Sequence, residues 1–273
     1  MLKQKFNFHM HTPRCKHAQP DATDRDFARA SLDAGFTSVA FTDHVAHPNP
    51  WNPQPEVRMS VDQIDEYLES INRLKKEFQG QMTIQSGFEV EYDPRLDDYY
   101  RKLREKCDLF ILGQHFMFDQ SGAYINPRSQ PLSDVDLDLY VERVEEAAKS
   151  GMFGVIAHPD VFMLGRSSFG PADEAAARKI CQIALAYDLP LEINLCQTYW
   201  NMKDGGRIFY PVPEFWAIVS EYPVKVLWGF DIHFLEQAAM AEEVVAFAED
   251  YLGKDTINKL HFVDENLQFT DPH

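Results

Sequence analysis

Phe6-Asn7-Phe8-His9-Met10-His11 is a short aromatic and apolar run that ends in two histidines one residue apart. A run of this length bounded by polar residues reads as a β-strand. The same pattern recurs at residues 39–44, 82–89, 109–115, 154–158, 191–195 and 224–231. Between these runs lie segments of helical period, at 24–34, 61–78, 95–106, 135–149, 173–187, 213–221 and 235–251. The second of them carries Ile64, Tyr67, Leu68, Ile71 and Leu74 on one stripe, behind Ser60 as a helix-capping residue. Strands alternating with helices imply parallel βαβ units. Seven such units exceed a small open sheet and fall one short of the eight-fold barrel. The expected fold is therefore an α/β barrel of seven units, in one domain over residues 1–273.

Composition agrees with an ordinary folded globule: 273 residues, 45% of them hydrophobic and 25% charged. With 26 Lys and Arg against 43 Asp and Glu, the formal net charge is −17. Such a balance argues against a dedicated nucleic-acid or membrane-surface binder, because phosphate backbones and anionic lipids attract basic clusters. Cys15, Cys107, Cys181 and Cys196 are far apart with no Cys-x-x-Cys spacing, so a reduced, cytoplasmic setting is expected. Neither a signal-peptide stretch nor an apolar run long enough for a membrane span is expected.

The chemistry falls at the strand ends. His9 and His11 end the first strand, Asp43-His44 the second, and Glu89, followed by Glu91, the third. His115 ends the fourth, His158 the fifth, and Asp231-Ile232-His233 the seventh. Residues i and i+2 of a strand share a face, so His9 pairs with His11 and Asp231 with His233. His17 sits on a loop long enough to fold back over the barrel mouth. One histidine at a strand end is usually structural; six strands that each deliver a ligating residue at the same end are a site. His47, His261 and His273 fall outside this pattern and read as structural. Three long connections, at 45–60, 116–133 and 196–212, also follow strand C-termini, the face that carries barrel active sites.

Taken together, His9-Met10-His11-Thr12, His17, Thr42-Asp43-His44, Gly87-Phe88-Glu89, His115, Ala157-His158-Pro159 and Asp231-x-His233 resemble the polymerase-and-histidinol-phosphatase (PHP) superfamily. The match runs in the family's order from residue 9 to 233, and its nine ligand positions are all filled by the expected residue type. The resemblance implies a distorted (β/α)7 barrel with the site at the strand C-termini. It implies three divalent transition-metal ions (Zn, Mn or Fe). His9, His11, Glu89 and Asp231 would hold the first; Glu89 would bridge to a second, completed by His115 and His158; His17, His44 and His233 would hold the third. Histidine-rich ligation with a carboxylate suits these metals better than Ca²⁺ or Mg²⁺. Glu91 competes with Glu89 for the bridging role, and Glu89 is preferred because it follows the Gly-x pair of the motif.

Length and loop content are most similar to the monofunctional histidinol-phosphate phosphatases. The expected reaction is hydrolysis of L-histidinol phosphate to L-histidinol and phosphate, a step in histidine biosynthesis. A hydroxide bridging two ions would attack phosphorus in line, without a covalent phosphoenzyme. Glu89 and Asp43 are the expected catalytic carboxylates, Asp43 through its place beside His44; a purely structural Asp43 is the alternative. Arg166, ahead of Arg207, is expected to bind phosphate, with Arg14 and Lys16 as further possibilities. Glu91, Asp119 or Asp160 are candidates to meet the cationic end of the substrate. Competing readings are a phosphotyrosine-protein phosphatase, a 3′–5′ exonuclease and, from another class, a non-catalytic regulatory module. The expected partner is a small phosphomonoester, with no nucleic acid and no membrane.

Overall fold

The computed structural model describes residues 3–268. Its strands are β1 (Phe6–Asn7), β2 (Ser38–His44), β3 (Thr83–Val90), β4 (Leu109–Leu112), β5 (Met117–Phe118), β6 (Tyr124–Ile125), β7 (Val155–Ile156), β8 (Leu191–Asn194), β9 (Lys225–Gly229) and β10 (His261–Phe262). The helices are α1 (Asp24–Asp33), α2 (Ile64–Glu77), α3 (Asp97–Arg104), α4 (Asp134–Ser150), α5 (Pro171–Ala186), α6 (Cys196–Asp204), α7 (Pro213–Val219), α8 (Leu235–Ala239), α9 (Ala241–Leu252) and α10 (Lys254–Ile257). Eight strands form one sheet in the order β1-β2-β3-β4-β7-β8-β9-β10, and every pair in it is parallel.

The sheet curls until its ends meet. Beyond β1 and β9 the chain forms a parallel bridge between Met10 and Ile232. The His11 amide donates to the Ile232 carbonyl at 2.8 Å, and the Ile232 amide to the His9 carbonyl at 3.2 Å. This junction closes the seven expected strands into a barrel at the end where the histidines lie. The eighth strand, β10, pairs with the start of β9 at the other end. It comes from the tail, where Leu260 and Val263 are buried; His261 is in β10, and Phe269 and His273 lie outside the described residues.

Two apolar layers hold the barrel together. Phe6, Phe8, Ala40, Leu109, Ile111, Val155, Ala157, Leu227 and Val263 form one cluster, drawn from β1, β2, β4, β7 and β9 and the residues beside strands. A larger cluster packs the strands against the helices, with the α2 stripe Ile64, Tyr67, Leu68, Ile71 and Leu74 buried in it. Strands covered on both faces read as continuous apolar runs, and all seven residues of β2 are buried.

Three local expectations are corrected. Residues 196–212, read as a loop, begin with α6, which ends at Gly205 in the left-handed conformation (φ 71°) that glycine adopts freely. Residues 235–251 are two helices, α8 and α9, meeting at Met240. The connection 116–133 contains the β5–β6 antiparallel hairpin. No helix among the described residues is long and apolar enough to cross a membrane.

Candidate metal centre

The strand ends bring His9, His11, Glu89 and Asp231 together. His9 Nε2 lies 3.5 Å from Glu89 Oε2 and 3.4 Å from Asp231 Oδ1. His11 Nε2 lies 3.5 Å and 3.1 Å from the same two oxygens. A tetrahedral ion with ligand bonds of about 2.1 Å would have ligand–ligand edges of about 3.4 Å. All four atoms are buried and none has a hydrogen-bond partner. Buried polar atoms left without partners are rare, and four that converge on one point fit a metal ion. Burial lowers the His9 pKa, but the carboxylates of Asp231, Glu192 and Glu89 outweigh it and raise it well above the ordinary value. The surroundings call for positive charge here.

The other oxygen of Glu89 faces a second group. Glu89 Oε1 is 2.7 Å from His158 Nε2 and 3.4 Å from His115 Nε2. His44 approaches through Nδ1, 2.9 Å from Glu89 Oε2, without forming a hydrogen bond. Gly113, directly after the neighbouring strand β4, makes room, because a Cβ there would overlap the Glu89 carboxylate.

A third group is made by His17 and His233, whose Nε2 atoms are 2.8 Å apart. The Nδ1 of His17 meets the Cys15 carbonyl at 2.7 Å, and that of His233 meets the Asp231 carbonyl at 2.9 Å. Carbonyls only accept, so each ring carries its proton on Nδ1 and turns an Nε2 lone pair toward the other. Burial holds both imidazoles down to about 4, so they are neutral at pH 7. Two lone pairs at this distance repel unless a cation lies against both. Cys15, His17 and His233 present donor atoms close enough to share an ion, as do His11, His44 and His233.

Around these candidate ligands lie carboxylates that sequence reasoning missed in part. His9 Nδ1 donates to Glu192, 2.9 Å from Oε1 and 3.0 Å from Oε2. His115 Nδ1 donates to Glu91 Oε1 at 3.0 Å. Such carboxylates fix the tautomer and aim the opposite nitrogen at the metal. The signal for Glu192 was an acid inside the apolar run Leu191-Glu192-Ile193, since a buried charge needs a partner. Glu91 is therefore neither the bridging ligand nor free to meet a substrate cation: Arg58 grips both its oxygens at 2.9 and 3.1 Å. Burial raises its pKa, and Arg58 and His115 more than reverse this, holding it well below the carboxylate range. Asp231 (φ 47°) and His158 (φ 29°) occupy left-handed backbone, a strain that clusters at functional sites.

Several expected residues stand elsewhere. Asp43 and His44 are neighbours in β2 and point to opposite faces. Asp43 accepts from the Thr12 amide at 2.8 Å and its hydroxyl at 2.6 Å, and lies 3.9 Å from His11 Nδ1. Burial pushes its carboxyl up to about 7, but it lines no part of the cavity, and its contacts support Thr12 and His11. Arg166 is tied to Asp173, Asp134 and the Leu132 carbonyl, each at 2.8 Å. Arg207 is exposed and stacks on Phe209. Arg14 binds Asp24 and Glu66, and Lys16 binds the Pro55 carbonyl. Asp119 caps the β5–β6 turn, while Asp160 accepts from the Val212 amide and the Trp216 indole. An arginine that the sequence did not single out, Arg128, lines the site after the β5–β6 hairpin. It shares a cavity of about 250 Å³ with His17, His44, Glu89, His115, Asp231 and His233. A loop arginine with no periodicity around it gave no signal in sequence.

The chain matches the PHP domain family over residues 7–196, more than half its length. A protein of Deinococcus radiodurans named "Probable histidinol-phosphatase" is 28% identical over 82% of this chain and 85% of its own. The "Histidinol-phosphatase" of Bacillus subtilis is 37% identical over 44% of this chain and 47% of its own. Among solved structures, histidinol phosphate phosphatase from Lactococcus lactis, complexed with zinc, L-histidinol and phosphate, has a TM-score of 0.66 at 15% identity, covering 98% of this chain and 99% of that one. Motif order, barrel closure and family match agree: this chain belongs to the PHP domain family.

Proposed function

We propose that the protein is a metal-dependent phosphomonoesterase that hydrolyses L-histidinol phosphate to L-histidinol and phosphate. The observation that carries the chemistry is the convergence of the four unpartnered donors His9 Nε2, His11 Nε2, Glu89 Oε2 and Asp231 Oδ1. The substrate is supported by the names of the relatives and by the histidinol and phosphate bound in the Lactococcus lactis structure.

His9, His11, Glu89 and Asp231 would hold one divalent ion, and Glu89 with His115 and His158 a second. His17, His44 and His233 would hold the third, with zinc, manganese or iron as the fitting metals. Bound there, such ions neutralise phosphoryl oxygens and lower the pKa of water, which a dianionic ester needs before a nucleophile can approach. Glu192 and Glu91 keep His9 and His115 in the ligating tautomer. Glu89 spans two groups with one carboxylate and sets their spacing. Arg128, which lines the same cavity, would meet a phosphoryl oxygen in the role expected of Arg166. Water adds to phosphorus and gives up a proton, the ester P–O bond breaks, and the departing alkoxide takes up a proton to leave as the alcohol.

A substrate panel tests this reading. We expect kcat/KM for L-histidinol phosphate to exceed that for a phosphotyrosine peptide by at least about a hundredfold, a ratio one polar recognition site can supply. Single-stranded DNA should not be degraded. A preference for the peptide or for DNA would replace this reading with another PHP-type phosphoesterase.

A further inference from the structure

The cavity above the metal centre has two lobes that share His17, His44, His115 and Arg128. One lobe, of about 310 Å³, adds Gln54, Asn126 and the Arg58–Glu91 pair. The other, of about 250 Å³, adds Trp200, Tyr210 and Phe234, together with the ligands Asp231 and His233. A phosphoryl group held at the ligands can place its ester substituent in either lobe.

We infer that the aromatic lobe receives the leaving group, and that Trp200 and Phe234 select a flat, cationic alcohol there. This inference rests on the phosphomonoesterase reading above. L-Histidinol carries an ammonium and an imidazole, and both are attracted to the negative face of an indole or phenyl ring. Trp200 and Phe234 meet edge to face, with centroids 5.5 Å apart and planes at 88°. Trp200 also packs edge-on against Tyr199 at 5.0 Å, so its orientation is set before any ligand arrives. Both Trp200 and Phe234 are only partly buried, although they sit in a concave site. They come from separate elements, α6 and the turn into α8, and the barrel brings them to one mouth.

The alternative lobe is chemically unsuited to a cation. Its floor holds the Arg58 guanidinium, and the one carboxylate beside it, Glu91, has its oxygens engaged by Arg58 and His115. Among the residues lining the aromatic lobe, Arg128 is the sole arginine or lysine, and it stands at the junction where the phosphoryl group lies. An ammonium directed away from that junction meets rings instead of a second guanidinium.

The test compares the wild type with Trp200→Ala, Trp200→Phe and Phe234→Ala on two esters, L-histidinol phosphate and glycerol 2-phosphate, which has neither ring nor amine. Trp200→Ala should lose about tenfold more in kcat/KM on histidinol phosphate than on the glycerol ester, mainly through KM, with Trp200→Phe recovering most of it. Calorimetry of L-histidinol binding to the metal-loaded proteins should show the same weakening without turnover, at unchanged metal content. Equal losses on both esters, or unweakened histidinol binding, would overturn the lobe assignment while the wild type's preference stands. A wild type that does not prefer histidinol phosphate over the glycerol ester would overturn the substrate reading, and this inference with it.

Discussion

Glu89 shows how much one side chain can organise. Its Oε2 lies within 3.5 Å of imidazole nitrogens on His9, His11 and His44, and its Oε1 within 3.4 Å of those on His115 and His158. It was legible because it ends a strand in a motif with fixed spacing. Glu192 was not, since the His9–Glu192 contact links residues 183 positions apart and only folding brings them together. The pair yields a residue-scale prediction. Glu192→Ala frees His9 to rotate and to take the other tautomer, which should weaken metal affinity by about 10- to 100-fold. A competition titration against a chelator reads this directly. Wild-type affinity in a folded Glu192→Ala protein would show that His9 needs no such support.

At the scale of elements, the seven strands and most helices could be read from periodicity, because burial on both faces gives long apolar runs and helical burial gives stripes. The misses have physical reasons. Helix α6 buries only Thr198 and Tyr199 and faces the mouth of the barrel, so it carries little apolar signal. The long pattern after Leu235 hides a break at Met240, where both flanking segments are good helix formers. The site arginines followed the same logic: Arg166 and Arg207 lie between regular elements, but reach depends on how a connection folds back, and of these and Arg128 it is Arg128 that lines the cavity. Strand ends, by contrast, are placed by sheet register. Glycine assists there, since a Cβ on Gly229 would overlap the Glu192 carboxylate as one on Gly113 would overlap Glu89. Gly229 ends β9 and Gly113 directly follows β4, and both keep space for carboxylates at the strand ends.

For the whole molecule, the formal charge of −17 looked unfavourable for an anionic substrate. Three divalent ions would add about six positive charges at the point where the phosphoryl group binds. The acidic surface then disfavours long anions such as nucleic acid more than a small ester. Acid should act on the fold as well as on the ligands. His47, expected to be structural, is buried between Arg58 and the Tyr100 hydroxyl, 3.3 and 3.1 Å away. Burial, reinforced by Arg58, lowers its pKa to about 4 from 6.5. Below pH 6.5 the unfolded chain therefore takes up a proton that the folded one refuses, so stability present at pH 7 is lost as pH falls toward 4. For His47 alone the loss amounts to about 3 kcal/mol. Urea unfolding of the metal-free protein at pH 7.5 and 4.5 should show it, and His47→Gln should narrow the difference. An unchanged difference in the variant would assign the acid sensitivity to other groups.

The most direct measurement is metal content together with turnover in one series: purified protein, chelated protein, and chelated protein titrated with Zn²⁺ or Mn²⁺, with Glu89→Gln alongside. Histidinol phosphate hydrolysis should vanish on chelation and return as about three ions bind per chain, while Glu89→Gln should bind fewer and stay inactive. Full turnover in the chelated protein, or near-normal turnover in Glu89→Gln, would refute a metal centre organised by Glu89.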